Sequence, residues 1–142
     1  MNESFTAAGI ILICGKNKDR ILMIHNKEKN SWDFPYGYKD PGECSWYTMK
    51  REFQEETGIT LPWLNNVRKF SQTNNRRRKF ITYIADTDEI LRMPNGHVLT
   101  TTEHDGWYMP KIKNVLNQKG TCKKVRSCSK KTLLKARKLN FI

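Results

Sequence analysis

The chain has 142 residues, of which 37% are hydrophobic, 28% charged and 11% aromatic, a composition typical of one globular domain rather than a disordered segment. Its 26 Lys and Arg residues outnumber 14 Asp and Glu residues, and the formal charge of +12 favours polyanionic partners. No apolar run approaches the roughly 20 residues of a membrane-spanning helix, and the run at 7–14 follows Glu3 rather than a basic segment, which argues against a membrane partner and against secretion.

The first forty residues predict two strands and a loop. Residues 5–14 and 20–25 are rich in Ile and other apolar side chains, and a polar turn separates them. Such apolar runs on either side of a turn are typical of strands. The Gly and Pro residues of 37–42 predict a loop.

A single amphipathic helix is predicted after this loop. Residues 44–57 contain neither Gly nor Pro, and Gly58 stands where a helix would end. Trp46, Met49 and Phe53 recur at helical spacing and form one apolar stripe. We therefore expect about four helical turns with this stripe facing the core.

The second half of the chain predicts strands, a turn and two helices. In chain order these are strands at 66–72 and 79–85, a turn at 94–96, a short strand at 106–109, and helices at 111–118 and 129–139. Strands and helices alternate without a regular strand–helix–strand rhythm. We therefore predict a mixed α/β sandwich.

Positive charge is concentrated at the C-terminal end. Residues 119–142 contain nine Lys or Arg residues and no acid, which leaves 17 basic and 14 acidic side chains in the other 118 residues. We predict a domain at 1–118 followed by a basic extension at 119–142. Such an extension can contact RNA, direct the protein to the nucleus or keep it in solution.

The four cysteines are Cys14, Cys44, Cys122 and Cys128. Their spacing matches neither a zinc finger nor a zinc ribbon. We predict reduced thiols in a cytoplasmic compartment.

Three glutamates share one face of the predicted helix. Glu52, Glu55 and Glu56 stand at i, i+3 and i+4, so their like charges repel, and no Lys lies on the same face. A hard divalent cation such as Mg²⁺ or Mn²⁺ would resolve this repulsion, because it prefers carboxylate oxygens. The alternative is an ordinary acidic surface.

The spacing of the residues around these glutamates is specific. Gly37 is followed by five residues, Glu43, seven residues, Arg51-Glu52-Phe53, one residue, Glu55-Glu56, one residue and Gly58-Ile59. This run resembles the Nudix box, GX5EX7REUXEEXGU with U bulky and apolar, at every specified position. The order of strands and helices resembles that family from about residue 5 to 118.

The resemblance implies a Nudix-type α/β/α sandwich with a mixed β-sheet. It also implies a hydrolase that cleaves a diphosphate linkage in a nucleoside diphosphate joined to another group. Glu52, Glu55 and Glu56 correspond to metal ligands in the family, which the carbonyl of Gly37 often joins. The implied cofactor is Mg²⁺ or Mn²⁺.

The resemblance assigns further roles around the ligands. Arg51 corresponds to a residue that orients a glutamate, and Glu43 and Gly58 to residues that stabilise the loop and helix. The general base is either Glu55 in the box or Glu103 in a later loop. His104 is interpreted as a loop residue rather than a catalyst.

The sequence features that bear on the substrate are less specific than the box. The stretch SWDFPYG resembles both mRNA-decapping and dinucleoside tetraphosphate-hydrolysing members of the family. Trp32, Phe34 and Tyr36 could stack on a base or belong to the core, the core being favoured for Phe34. A basic cluster that could bind phosphates consists of Arg76, Arg77, Arg78 and Lys79.

Capped RNA is the first candidate substrate. Dinucleoside polyphosphates, nucleotide sugars and diphosphoinositol polyphosphates are the alternatives, and a non-catalytic RNA-binding module is a rival of another class. The positive charge at 119–142 could bind the phosphates of an RNA substrate. The sequence indicates no protein partner.

Overall fold

The computed structural model describes residues 4–89, 91, 104–117 and 125–142. Within these ranges the strands are β1 (Ala7–Cys14), β2 (Arg20–Ile21), β3 (Met23–Asn26), β4 (Ser31–Asp33), β5 (Tyr36–Tyr38), β6 (Asn65–Thr73), β7 (Lys79–Asp86) and β8 (His104–Tyr108). The helices are α1 (Ser45–Thr57), α2 (Ile112–Asn117) and α3 (Ser127–Lys138).

The strands form two sheets. The larger has the order β2-β1-β7-β6, and β5 also pairs with β1. In it β1 and β7 are parallel, whereas β2, β5 and β6 are antiparallel to their neighbours, so the sheet is mixed as predicted. The smaller sheet is antiparallel, with the order β4-β3-β8.

Helices cover both faces of the larger sheet. Met49 and Phe53 of α1 share one hydrophobic core with Ile10 of β1. Leu133 of α3 shares the other core with Ile11, the next residue of β1. Successive side chains of a strand point to opposite faces, so the layers are α1, sheet and α3. The predicted α/β/α sandwich is confirmed.

Two local predictions are wrong. The strand predicted at 20–25 is two strands, because β2 pairs with β1 in the larger sheet whereas β3 belongs to the smaller one. The chain changes sheets at Leu22, which is fully buried. The loop predicted at 37–42 begins with strand residues, since Gly37 pairs with Ala8 and its backbone joins the ladder of β1.

The helix predicted at 44–57 is α1. It ends at Gly58, whose φ of 74° is left-handed and therefore suits glycine. Met49 and Phe53 are buried as predicted. Trp46 is exposed and packs its ring edge-on against Tyr83, with ring centroids 5.1 Å apart, so it lies at the margin of the core.

The later predictions are mostly confirmed. The strands predicted at 66–72 and 79–85 are β6 and β7, the short strand is β8, and the first helix is α2. The turn predicted at 94–96 lies outside the described residues. No helix among the described residues combines the length and apolar character needed to cross a membrane.

The described cysteines are unpaired. Cys14, Cys44 and Cys128 form no disulfide, and Cys122 lies outside the described residues. Burial raises the pKa of the Cys14 thiol to about 11. This thiol therefore stays protonated at neutral pH and is a poor nucleophile.

The helix predicted at 129–139 is α3, and it packs on the sheet. Leu133 is fully buried beneath it, whereas Leu134 is exposed. Phe141, after the helix, is partly buried with its ring centroid 6.0 Å from that of Phe70. Residues 125–142 therefore share a core with β6 and β7.

We expect Leu133→Ala to lower the free energy of unfolding by about 2–5 kcal/mol, because it removes a large side chain from a closed site. The matched control is Leu134→Ala on the same helix, which should stay within about 0.5 kcal/mol of the parent. Urea denaturation followed by circular dichroism measures both. Equal effects would mean that α3 does not contribute to the core.

Candidate active site

The three glutamates of α1 differ in exposure. Glu56 is buried, whereas the side chain of Glu52 is 16% exposed and that of Glu55 is 56% exposed. They stand within five residues of the helix, at the spacing that brings i, i+3 and i+4 together. Glu55 is therefore the carboxylate of this face that water reaches most freely.

Arg51 holds this face together. Its Nη1 lies 2.8 Å from Glu52 Oε1 and 3.2 Å from Glu55 Oε2. Its Nη2 donates to the carbonyl of Tyr38 at 3.0 Å. These contacts supply part of the compensating positive charge from within the helix, which the prediction of an unrelieved acidic face left out. The signal was the i, i+4 pair of Arg51 and Glu55.

The other side of the Arg51 guanidinium binds Glu43. Arg51 Nε donates to Glu43 Oε2 at 2.8 Å and Nη2 donates to Oε1 at 3.0 Å, which makes the pair bidentate. The backbone N–H of Asp40 and the hydroxyl of Thr48 also donate to Glu43 Oε1. These hydrogen bonds lower the pKa of Glu43 from 4.5 to about 2, and the bond from Arg51 has the largest effect.

Glu43→Gln is expected to destabilise the protein at pH 7 and to do so less as the pH falls. The folded-state pKa of Glu43 lies below its unfolded value, so the carboxylate stabilises the fold above about pH 4.5. That contribution is lost as the pH falls toward about 2. Urea denaturation at pH 7, 5 and 3 measures the difference between variant and parent.

The matched control for this prediction is Glu28→Gln, at an exposed glutamate of the β3–β4 turn. It should change stability little at any of the three pH values. A difference for Glu43→Gln that stays constant from pH 7 to pH 3 would contradict the proposed ion pair.

Gly37 leaves room for a carboxylate. A Cβ built on Gly37 would overlap Glu52 Cδ and both carboxylate oxygens. The absence of a side chain in β5 therefore lets the Glu52 carboxylate lie against the backbone of Gly37. Burial raises the pKa of Glu52 above its usual range, and the hydrogen bond from Arg51 opposes this.

Tyr36 connects Glu56 to the sheet. Its backbone N–H donates to Glu56 Oε1 at 3.0 Å. Its ring lies against Gly9, where a Cβ would overlap it, and its hydroxyl is hydrogen-bonded to Thr82. Burial raises the pKa of Tyr36 above its usual range. Tyr36 thus packs across β1, and its backbone positions Glu56.

The other aromatic candidates have different surroundings. Phe34 is 1% exposed, so its ring belongs to the core and is not available to stack on a base. Trp32 is half-buried between His25 and Tyr108, with ring centroids 5.0 and 5.6 Å away. Tyr38, which the sequence analysis did not select, is 64% exposed next to Gly37.

The remaining candidates belong to other elements than α1 or lie outside the described residues. The basic cluster at 76–79 is exposed in the turn between β6 and β7 and at the start of β7. Glu103 lies outside the described residues, so its role as a base stays a prediction. His104 begins β8.

The chemistry of the donor set suits a divalent cation. Among the described residues, no three His, Cys, Asp or Glu side chains stand close enough together in this structure to hold a metal ion. Arg51 Nη1 lies within ion-pairing distance of both Glu52 and Glu55. All candidate side-chain donors are carboxylates, which suit Mg²⁺ or Mn²⁺, and the space at Gly37 already accepts one of them.

Comparisons with known proteins agree with the fold and the box. The model of the NUDIX domain family matches residues 4–121. An RNA pyrophosphohydrolase of Shigella boydii is 25% identical over 119 residues, which cover 68% of this chain and 64% of that protein. Nudix hydrolase 7 of Arabidopsis thaliana is 35% identical over 63 residues, 41% of this chain and 22% of that protein. The chain thus spans less than two thirds of these curated relatives.

A solved structure has the same fold. The Ap4A hydrolase of C. elegans in a binary complex superposes with a TM-score of 0.70 and covers 94% of this chain and 97% of its own. The two sequences are 19% identical, so the similarity describes the architecture.

Proposed function

The chain belongs to the Nudix family, and we propose that it is a metal-dependent hydrolase that cleaves a diphosphate linkage in a nucleoside diphosphate derivative. We propose the 5′ cap of RNA as the substrate. The observation that carries the proposal is the glutamate face of α1, with Arg51 between Glu43 on one side and Glu52 and Glu55 on the other.

In this proposal Glu52, Glu55 and Glu56, with the carbonyl of Gly37, hold Mg²⁺ or Mn²⁺. When bound, the ion neutralises charge that develops on the phosphate oxygens and lowers the pKa of an attacking water. Negative substrates are otherwise repelled by a face with three carboxylates. The proposal therefore predicts that activity requires a divalent ion.

Proton transfer and the positioning of the glutamates are assigned to residues of the chain itself. Glu55 is the most exposed glutamate of the face, so it is placed to accept a proton from water. Arg51 holds Glu52 and Glu55 at a fixed separation, and Tyr36 fixes Glu56. Glu103 is the alternative base implied by the family resemblance.

RNA is favoured over smaller substrates by charge. A small nucleotide does not need positive charge outside the catalytic domain, whereas the basic residues at 119–142 and at 76–79 suit a long phosphate chain. The name of the Shigella boydii relative, RNA pyrophosphohydrolase, supports an RNA substrate. The similar fold of an Ap4A hydrolase supports dinucleoside polyphosphates as the second candidate.

A substrate panel tests the proposal. Capped RNA, dinucleoside polyphosphates, ADP-ribose and diphosphoinositol polyphosphates are incubated separately with Mg²⁺, with Mn²⁺ and with EDTA. We expect the highest kcat/KM for capped RNA, release of a nucleoside diphosphate, and no turnover in EDTA. A higher kcat/KM for a small substrate would overturn the assignment of RNA. Binding of RNA without hydrolysis of any substrate would favour the non-catalytic module.

A further inference from the structure

The charged side chains of strand β6 and of the turn that follows it are all positive. Residues 65–79 contain six basic residues and no acid. The strand lies at the edge of the larger sheet, because it pairs only with β7 among the described strands. The basic residues of this segment are Arg68, Lys69, Arg76, Arg77, Arg78 and Lys79.

The helix α3 carries the same sign of charge. Residues 126–138 contain six basic residues and no acid. Lys131 and Lys135 stand at i, i+4, where like charges repel, and no acid in the first turn complements the helix dipole. Lys135, Arg137 and Lys138 lie in the last turn, where positive charge complements the helix dipole, so local stability accounts only for these three. The helix segment bears six positive charges in all. They are Arg126, Lys130, Lys131, Lys135, Arg137 and Lys138.

Packing joins these two segments into one surface. The hydroxyl of Thr132 donates to Gln72 Oε1 at 2.9 Å, and Lys135 Nζ donates to the carbonyl of Ser71 at 2.6 Å. The helix thus runs antiparallel to β6. We call residues 68–79 and 126–138 together the basic surface.

Few charges of the basic surface are neutralised within the described part of the chain. Arg126 lies 3.7 Å from Asp33. Arg76, Arg78, Lys131 and Lys138 are exposed and form no ion pair with any described residue. Each of them is available to an anion from solution.

The basic surface begins near the candidate active site. Ala7 of β1 pairs with Tyr38 on one side and with Phe80 on the other. Two strand spacings, about 10 Å, therefore separate the strand that holds Gly37 from the start of β7. The turn at 74–78 lies at the end of the sheet where β7 begins. The positive charges of α3 lie along β6, in the direction that leads away from this turn.

We propose that the basic surface binds the phosphate backbone of a single-stranded RNA whose 5′ end lies in the candidate active site. This inference rests on the proposed function and adds the path that the RNA strand takes over the protein surface. The RNA would pass the β6–β7 turn first and then follow β6 and α3. A membrane is a poorer fit, because Leu133 and Ala136 of α3 are buried against the sheet, and the exposed Leu134 and Leu139 are two apolar side chains on a mainly charged face.

Three double variants with equal loss of charge test the proposal. One changes the turn, Arg76→Gln with Arg78→Gln, and one changes the helix, Lys131→Gln with Lys138→Gln. The control changes two exposed lysines outside the basic surface, Lys16→Gln with Lys27→Gln. The probe is a 20-nucleotide RNA with a 5′-hydroxyl, which contains no diphosphate linkage to cleave. Its Kd is measured in Mg²⁺ at several salt concentrations.

We expect each surface variant to flatten the log–log salt slope by about 1.4, since each lost contact with a single strand contributes about 0.7. At low salt this amounts to at least about a tenfold increase in Kd. The control should stay within about twofold of the parent. A control-like result for either surface variant would overturn the proposal, because the surface would not act as one path.

Two further measurements separate this proposal from its rivals. If the parent binds phosphatidylserine vesicles but not the RNA, the surface serves a membrane and the proposal is wrong. Hydrolysis of a small substrate should be equal in the parent and the control variant, because the control changes neither α1 nor the basic surface. Absence of any hydrolysis would overturn the proposed function, whereas the binding data report on the surface independently.

Discussion

Glu55→Gln and Glu56→Gln are each expected to lower kcat by about 10²- to 10⁴-fold while the protein stays folded. Gln preserves the size of the side chain but removes the negative charge that a divalent ion requires. At position 56 the amide oxygen can still accept the N–H of Tyr36, so the packing is retained. The unfolding midpoint without metal should be equal or slightly higher, because like charges are removed.

The matched control is Gln54→Ala, at an exposed position of the same helix. It should leave kcat within about twofold of the parent, as a surface change away from the site. Near-parent kcat for both glutamate variants would contradict the assignment of α1 as the metal-binding element. Glu103→Gln distinguishes the two candidate bases, since loss of a base lowers kcat and leaves Mn²⁺ affinity intact.

Gly37→Ala is expected to abolish most activity with a smaller effect on folding. The new Cβ would overlap the carboxylate of Glu52, which must then leave its place against β5. Because that carboxylate is the end of a flexible side chain, the displacement disturbs the site more than the core. We expect kcat/KM to fall at least about a hundredfold, as expected when a catalytic group is misplaced by about 1 Å.

Gly42→Ala is a matched control in the same loop. Gly42 has a φ of +83°, but a Cβ there would meet no atom within 4 Å. The control should therefore lose about 1–2 kcal/mol of stability through backbone strain and keep its turnover. Equal turnover in the two variants, measured where both are folded by circular dichroism, would contradict the role of Gly37.

Short-range spacing was sufficient to predict the helix at the centre of the candidate site. The helix α1, its end at Gly58 and the shared face of Glu52, Glu55 and Glu56 all depend on residues within a few positions of one another. Their geometry follows from the pitch of a helix, so the sequence alone determined it. The same holds for the strands β6 and β7 on either side of a polar turn.

Partners far apart in the chain were not predictable in this way. The pairing of Gly37 with Ala8 turned a predicted loop into β5, and the contact of Thr132 with Gln72 joined α3 to the sheet. Periodicity reports which face of an element is apolar but does not say which element covers it. Only the tertiary structure decided that the basic extension packs on the domain, because the free energy of that contact comes from burying Leu133 against strands more than forty residues away.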